Sequence, residues 1–306
     1  GITTFSSPYF FVPPQGDTAS RPQDCPPGSL RFNTDTAKLE YYKGTVIGWV
    51  EIEASNHEVG GGTGSNTGTG TRGFNAGRHV YEDNIEFITI STLGDSQDFG
   101  NLSHGRFSSG NLVGTDSRMV FAGGYYNNII DFWTVQSLGN ATDFGDLTTP
   151  RQQMSGCNDK IRGMWAGGRG PGHGSENTMD YVTIQSTGNA QDFGDLSAQK
   201  TTPASCSSST RGIWNYASSP ANQMVFVNLR STGNTTDFGN GYGTADMLGG
   251  QSSSTRGMWA GQYSASNTIA YITMASAGNT TDFGDLTQGR YNFNSMSSFT
   301  RCVFGA

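Results

Sequence analysis

Apolar and polar positions alternate most clearly in five short segments: DNIEFITI, NIIDFWTV, NTMDYVTI, NQMVFVNL and NTIAYITM. Each has a central aromatic: Phe87, Phe132, Tyr181, Phe226 or Tyr271. Two residues earlier, on the same face of an extended chain, stands Ile85, Ile130, Met179, Met224 or Ile269. On the opposite face come pairs such as Ile88/Ile90, Val182/Ile184 and Ile272/Met274. Period 2 with apolar residues on both faces predicts strands that are covered on both sides.

A second strand type occurs six times: TRGFNAG, SRMVFAGG, IRGMWAGG, TRGIWNY, TRGMWAG and TRCVFGA. Its arginines are Arg72, Arg118, Arg162, Arg211, Arg256 and Arg301. A third phrase occurs five times, as in QSTGNAQDFGDL, with Phe99, Phe144, Phe193, Phe238 and Phe283 spaced by 45, 49, 45 and 45 residues. A fixed period of this size marks a repeat architecture, and three or four short strands per unit is the content of one propeller blade. Within the phrase, Gly-Asn supplies the positive φ of a reversal. The Asp is expected to accept from nearby amides and the Phe to plug the core. The Gly permits close approach or a bulge. The predicted fold is all-β, with a five-bladed β-propeller over residues 72–306. Six arginine strands against five DFG phrases leave one strand surplus. The alternative is a six-bladed ring whose last blade combines residues 301–306 with strands from residues 38–53.

Residues 1–53 do not repeat. Pro8, Pro13, Pro14, Pro22, Pro26 and Pro27 punctuate the start. Proline fixes φ and removes a donor, so an extended arm is expected there rather than a packed element. Residues 28–52 then read as a three-stranded β-meander, turning at NTDT and at Lys43-Gly44. Residues 54–71, ASNHEVGGGTGSNTGTGT, have too little apolar surface to order themselves and read as a flexible linker.

Only 14% of the chain is charged and 44 residues are glycine, which suits strands and tight turns better than long helices. A net charge of −7 argues against nucleic acid, which demands clustered Lys and Arg. No apolar run approaches the roughly 20 residues that cross a bilayer as a helix, and no secretory signal pattern opens the sequence. Cys25, Cys157, Cys206 and Cys302 form neither a CxxC nor a Cys/His cluster. The calcium-loop spacing D-x-[DN]-x-[DN]-G is absent. No metal or cofactor is expected. DFG in a kinase occurs once, with an HRD loop and a β3 lysine, and neither partner is present here. His57, His79, His104 and His173 suggest no catalytic triad by spacing, so the protein reads as no enzyme. The six arginines are read as structural, each pairing with a neighbouring carboxylate or carbonyl. Loops after the arginine strands hold Tyr125, Tyr126, His173 and Tyr263. Equivalent loops leave a propeller on one rim, so these residues are the candidate ligand face, suited to sugar stacking; the plainer reading is solvent-facing loop side chains.

Two resemblances extend this reading. IRGMWAGG followed by Asn177, Tyr181 and Phe193 resembles a kelch repeat, although the Gly-Gly doublet is intact only at Gly123-Gly124 and Gly167-Gly168 and Phe replaces the usual late Trp. The segment GSLRFNTDTAKLEYYKG…GWVEI is similar to a β-module of virion and tail-fibre proteins in tailed phages. The STGNATDFGDL-type phrase also resembles repeats in virion structural proteins of marine phages, cyanophages especially. These resemblances imply a virion-surface structural protein in many copies, or a homo-oligomer. Its residues 1–53 would contact other virion proteins, and its kelch-like propeller would face a host-surface glycan or protein as a fibre or decoration adhesin. A purely structural capsid or tail component and a secreted lectin-like propeller are the alternatives.

Overall fold

The computed structural model describes residues 12–36, 38–52, 72–77, 82–92, 94–106, 112–201, 204–216, 222–241, 249–253, 255–261, 266–290, 294–298 and 301–305. The chain divides into two compact units, Gly1–Glu58 and Val59–Ala306. The described residues form strands and turns only, so the protein is all-β. Residues 54–71 and residues 1–11 of the expected arm lie outside the described residues.

The first unit is one four-stranded sheet, in the order β1 (Gln15–Gly16), β2 (Leu30–Asn33), β3 (Lys38–Tyr42) and β4 (Trp49–Glu51). The meander β2–β3–β4 is antiparallel, while β1 joins β2 in parallel. Residues 38–51, offered to a composite sixth blade by the alternative reading, pair as β3 and β4 inside this sheet. The described part of the proline-rich arm is also packed rather than free. Proline lacks an N–H but keeps its carbonyl, and the meander's donors use it. Phe32 donates to Pro14 O at 2.8 Å, and Trp49 Nε1 donates to Pro22 O at 2.8 Å. Arg21 closes over the buried Glu40, donating through Nε at 3.2 Å. That bond holds the Glu40 carboxyl below the usual carboxylate range.

The second unit contains six successive sheets. The first holds β5 (Arg72–Ala76), β6 (Asn84–Thr89) and β7 (Gln97–Asn101). The second holds β8 (Leu112–Gly114), β9 (Arg118–Ala122), β10 (Ile129–Thr134) and β11 (Thr142–Asp146). The third holds β12 (Ser155–Asn158), β13 (Arg162–Ala166), β14 (Glu176–Thr183) and β15 (Gln191–Lys200). The fourth holds β16 (Ala204–Ser207), β17 (Arg211–Tyr216), β18 (Gln223–Asn228) and β19 (Thr236–Asn240). The fifth holds β20 (Gly249–Ser252), β21 (Arg256–Ala260), β22 (Thr268–Thr273) and β23 (Thr281–Asp285). The last is the pair β24 (Asn294–Ser297) and β25 (Cys302–Gly305). Every sheet is an antiparallel meander in chain order. Among the described residues, the first sheet has three strands, with none equivalent to β8, and the last sheet has two.

The DFG phrase makes a β-bulge in each of the first five sheets. Ile85 pairs with Gly100 and Glu86 with Asp98, which leaves Phe99 as the extra residue. The same shift occurs opposite Phe144, Phe193, Phe238 and Phe283. A bulge re-aims one side chain. Here it turns the Phe edge-on to the aromatic of the preceding strand, with centroids 5.7–6.1 Å apart. Phe99, Phe144, Phe193 and Phe238 are buried, but Phe283 is 54% exposed. The expected fivefold core plug thus holds four times. The reason lies in how neighbouring sheets join.

The Gly-Asn loop of one sheet closes on the DFG strand of the sheet before it. Gly139 donates to Phe99 O at 3.0 Å, and Ala141 donates to Asn101 O at 2.8 Å. Asn140 Oδ1 accepts from the Asn101 amide at 3.0 Å. The same three bonds recur from Gly188, Asn189 and Ala190, from Gly233, Asn234 and Thr235, and from Gly278, Asn279 and Thr280. The loop asparagine, rather than the DFG aspartate, is therefore the regular amide acceptor. A Cβ on Gly145 or Gly194 would sit 2.5 Å from the carbonyl oxygen of Gly188 or Gly233, so this contact requires glycine. Phe283 belongs to the last DFG strand, and no described loop closes on it.

The arginines make a second join. The guanidinium lies over the central aromatic of its own sheet: Arg72 over Phe87, Arg118 over Phe132, Arg162 over Tyr181, Arg211 over Phe226 and Arg256 over Tyr271, at 4.4–5.0 Å. Four of these also donate to a carbonyl in the next sheet, at Val135, Ile184, Leu229 and Met274. Arg301 donates to Ile90 O in the first sheet, at 3.3 Å.

The leading strands make the third join. Serine hydroxyls bridge them, as in Ser155 to Ser205 at 2.6 Å, Ser252 to Ser207 O and Ser297 to Ser252 O. The residue after each arginine is glycine in four of the six strands, and a neighbour presses on each. Val113 faces Gly163, Cys157 faces Gly212, Cys206 faces Gly257 and Met296 faces Gly73. The exceptions are Cys302 and Met119. Met119 belongs to the second sheet, and no described leading strand of the first sheet presses on it. All four cysteines are free thiols.

Candidate binding face

Two neighbouring loops of the second and third sheets bring together Tyr125, Tyr126 and His173. Gly124 through Asn127 is a tight turn, with Asn127 donating to Gly124 O at 3.1 Å. Its central residues have φ of +48° and +58°, the signs of a type I′ turn. The loop after β13 is closed by Gly170 donating to Gly174 O, and His173 in it has φ of +61°. Three side-chain-bearing residues at positive φ cost about 1–3 kcal/mol each, and such strain clusters at ligand sites. Tyr126 Oη and His173 Nδ1 are 2.5 Å apart, with the rings edge-on at 5.2 Å. Tyr125 stands beside Tyr126 at 5.8 Å and is exposed.

Arg151 holds both loops. Its amide donates to Asn127 O, and its carbonyl accepts from Gly124 at 2.9 Å. Its buried guanidinium donates to Gly167 O at 2.8 Å and Thr178 O at 2.7 Å and pairs with the buried Asp180. The glycine doublets intact in the sequence are the two that this segment crosses. A Cβ on Gly123 would meet Arg151 O at 2.5 Å, and one on Gly168 would meet Gln152 O at 2.7 Å. Next to Arg151, Gln152 pairs through its backbone with Arg169 in the His173 loop. Gln152 Oε1, Gln153 Oε1 and Arg169 Nε are buried without a hydrogen-bond partner. Buried polar groups are normally paired. The face presents a cluster of aromatic side chains on two loops that the buried Arg151 holds together, an arrangement that suits stacking against a ligand ring.

Of the four predicted loop residues, Tyr125, Tyr126 and His173 are grouped, and Tyr263 lies outside the described residues. Sequence reasoning missed Arg151 and its counterpart Arg106, which pairs with the buried Asp131. The signal was present: Arg106, Arg151, Lys200 and Arg290 each follow a DFG Phe by seven positions. Asp131 and Asp180 each precede a strand aromatic. The Arg106 guanidinium lies over Phe121, and Lys200 lies over Tyr216. Among the described residues, no group of three or more His, Cys, Asp or Glu could hold a metal ion. Fold and site together define an all-β protein of tandem antiparallel sheets with one aromatic-rich loop face. No family model matches the chain, and no curated protein matches it in sequence.

Proposed function

We propose that the second unit is a kelch-like β-propeller with six blade positions, the sixth represented by β24 and β25, and that it serves as a surface adhesin of a phage particle. Two contacts favour six positions over the five expected from the DFG count. The Arg301 bond to Ile90 O repeats the join made by four earlier arginines, and β24 packs against β5 as each earlier leading strand packs against the arginine strand of the following sheet. The particle role rests on the resemblance of residues 28–52 and of the DFG phrases to virion proteins. In this reading the first unit contacts other virion proteins, and the Tyr125–Tyr126–His173 face engages a host-surface carbohydrate.

The observation behind the ligand class is the strained aromatic pair Tyr126–His173, on loops held by Arg151. Aromatic faces stack on sugar rings. Glycan-array and host-cell binding by the full chain tests this. Binding is expected, and Tyr126→Ala or Tyr125→Ala should weaken it by about tenfold or more, as loss of one interface anchor does. Blank arrays together with blank cells would leave a purely structural particle role as the better reading.

A further inference from the structure

Strand pairing sets six apolar side chains of the first unit on one face of its sheet. Leu30 lies opposite Tyr41, and Tyr41 opposite Val50. In the next row Phe32 lies opposite Leu39, and the Ile52 amide donates to Leu39 O at 2.7 Å. Period 2 puts Arg31, Asn33, Glu40, Tyr42 and Trp49 on the other face. That polar face is the covered one. The arm closes it: Arg31 donates to Asp17 O at 2.8 Å, Asn33 Nδ2 to Thr18 Oγ1 at 3.1 Å and Tyr42 Oη to Gln23 O at 2.9 Å. Arg31, Asn33 and Glu40 are buried, whereas Leu30, Leu39 and Ile52 are 49%, 42% and 39% exposed. This inverts the usual order, in which a sheet hides its apolar face. Among the described residues of the first unit, Tyr42 is the one buried apolar side chain. Cys25 is a free thiol, so no disulfide stands in for a core.

We propose that this face docks on the same face of a second copy of the chain, so that two first units form a two-sheet sandwich. Small folds without a core or disulfide of their own rely on oligomerisation for apolar burial. The composition of the face selects a second copy as the occupant. None of its six positions is charged, and Lys43, 5.5 Å over the Tyr41 ring, stands at its rim. Nothing on the face selects a charged partner, and nothing on it repels its own image. A twofold interface demands that, because one patch there meets itself. Its two rows of three suit aligned sheet packing, with the sheets about 10 Å apart and side chains interdigitating. In the second unit the exposed large apolar side chains, Tyr125, Leu138, Ile161 and Phe283, lie at separate positions along the repeat. Among the described residues, the best apolar match for this face is therefore the same face of another copy.

The inference concerns the first unit alone and stands apart from the six-position ring, the carbohydrate face and the particle role. Sedimentation velocity and native mass spectrometry of the full-length protein should give twice the chain mass. Leu39→Lys puts an unpaired charge inside the sandwich from both copies, so the mass should fall to that of one chain. Leu30→Lys, in the other row, should do the same. Leu138→Lys, the same change at an exposed leucine of the second unit, should leave the dimer intact. Leu39 and Leu30 are exposed in the single chain, so both variants should keep the wild-type circular dichroism, which separates lost association from lost folding. A monomeric wild-type chain overturns the proposal, and so does an assembly that both face variants leave unchanged. A monomer that Leu39→Lys destabilises overturns it in favour of cover by another segment of the same chain.

Discussion

Phe144 and Phe283 occupy the same place in the same phrase, yet they should respond differently to truncation. Phe144 fills the space between its own sheet and the loop of the next, edge-on to Phe132. Removing a buried phenylalanine costs about 3–5 kcal/mol, transfer and cavity together. Phe283 keeps its edge-on partner Tyr271 but faces solvent, and exposed positions change stability by about 0.5 kcal/mol or less. Urea unfolding of Phe144→Ala and Phe283→Ala should separate the two by at least 2 kcal/mol, on the order of the burial term alone. Equal losses would mean that Phe283 is covered. At this scale the sequence shows which residues recur but not which copy has a neighbour. The bulge at DFG and the pairing of arginine with a carbonyl follow from residue type. The exposure of Phe283 depends on a sheet that its own phrase does not encode. Arg151 was legible only as a seven-residue offset, and its role needs two loops that are distant in sequence.

Among the elements, the leading strands differ most from ordinary strands. SGCN, ASCS, GGQS and NSMS hold small or hydroxyl-bearing residues where β-strands usually hold branched ones. The crowding explains it: a Cβ on Gly250 would press on the Ser205 carbonyl, and the serines donate across to the backbone of the preceding leading strand. Cys157 and Cys206 are the small apolar members of this set. Burial pushes both thiols well above their ordinary value, and the thiolate is the reactive form. At pH 8, Ellman titration of the native protein should therefore leave both unreacted, and denaturant should release them. Rapid native reaction of either would contradict the packing of β12 against β16. The strands with period-2 alternation were legible in the sequence. These leading strands were not, because their short polar runs resemble loops. The hydroxyl bonds that make them strands run between sheets rather than within one.

For the whole molecule, the surplus arginine strand was the informative irregularity. Six arginine strands against five DFG phrases implied a break in the repeat, and the sheets locate it. Among the described residues, the first sheet has no leading strand, and the last consists of a leading strand and an arginine strand. Met119 stands where four other arginine strands have glycine. Arg301 donates to Ile90 O, which brings the first and last described sheets into contact. The arm of the first unit packs although its prolines lack donors. Their carbonyls, which the meander's donors bond, decide its packing. Closure of the six sheets is the claim on which the proposed propeller depends. The most direct test pairs Gly73→Cys with Met296→Cys, positions whose side chains would touch across β5 and β24. Cβ atoms this close fit a disulfide with only slight adjustment. Oxidation should give an intramolecular 73–296 crosslink in the folded full-length protein, identified by peptide mass mapping. Recovery of both cysteines as free thiols in the native, oxidised sample would contradict the ring.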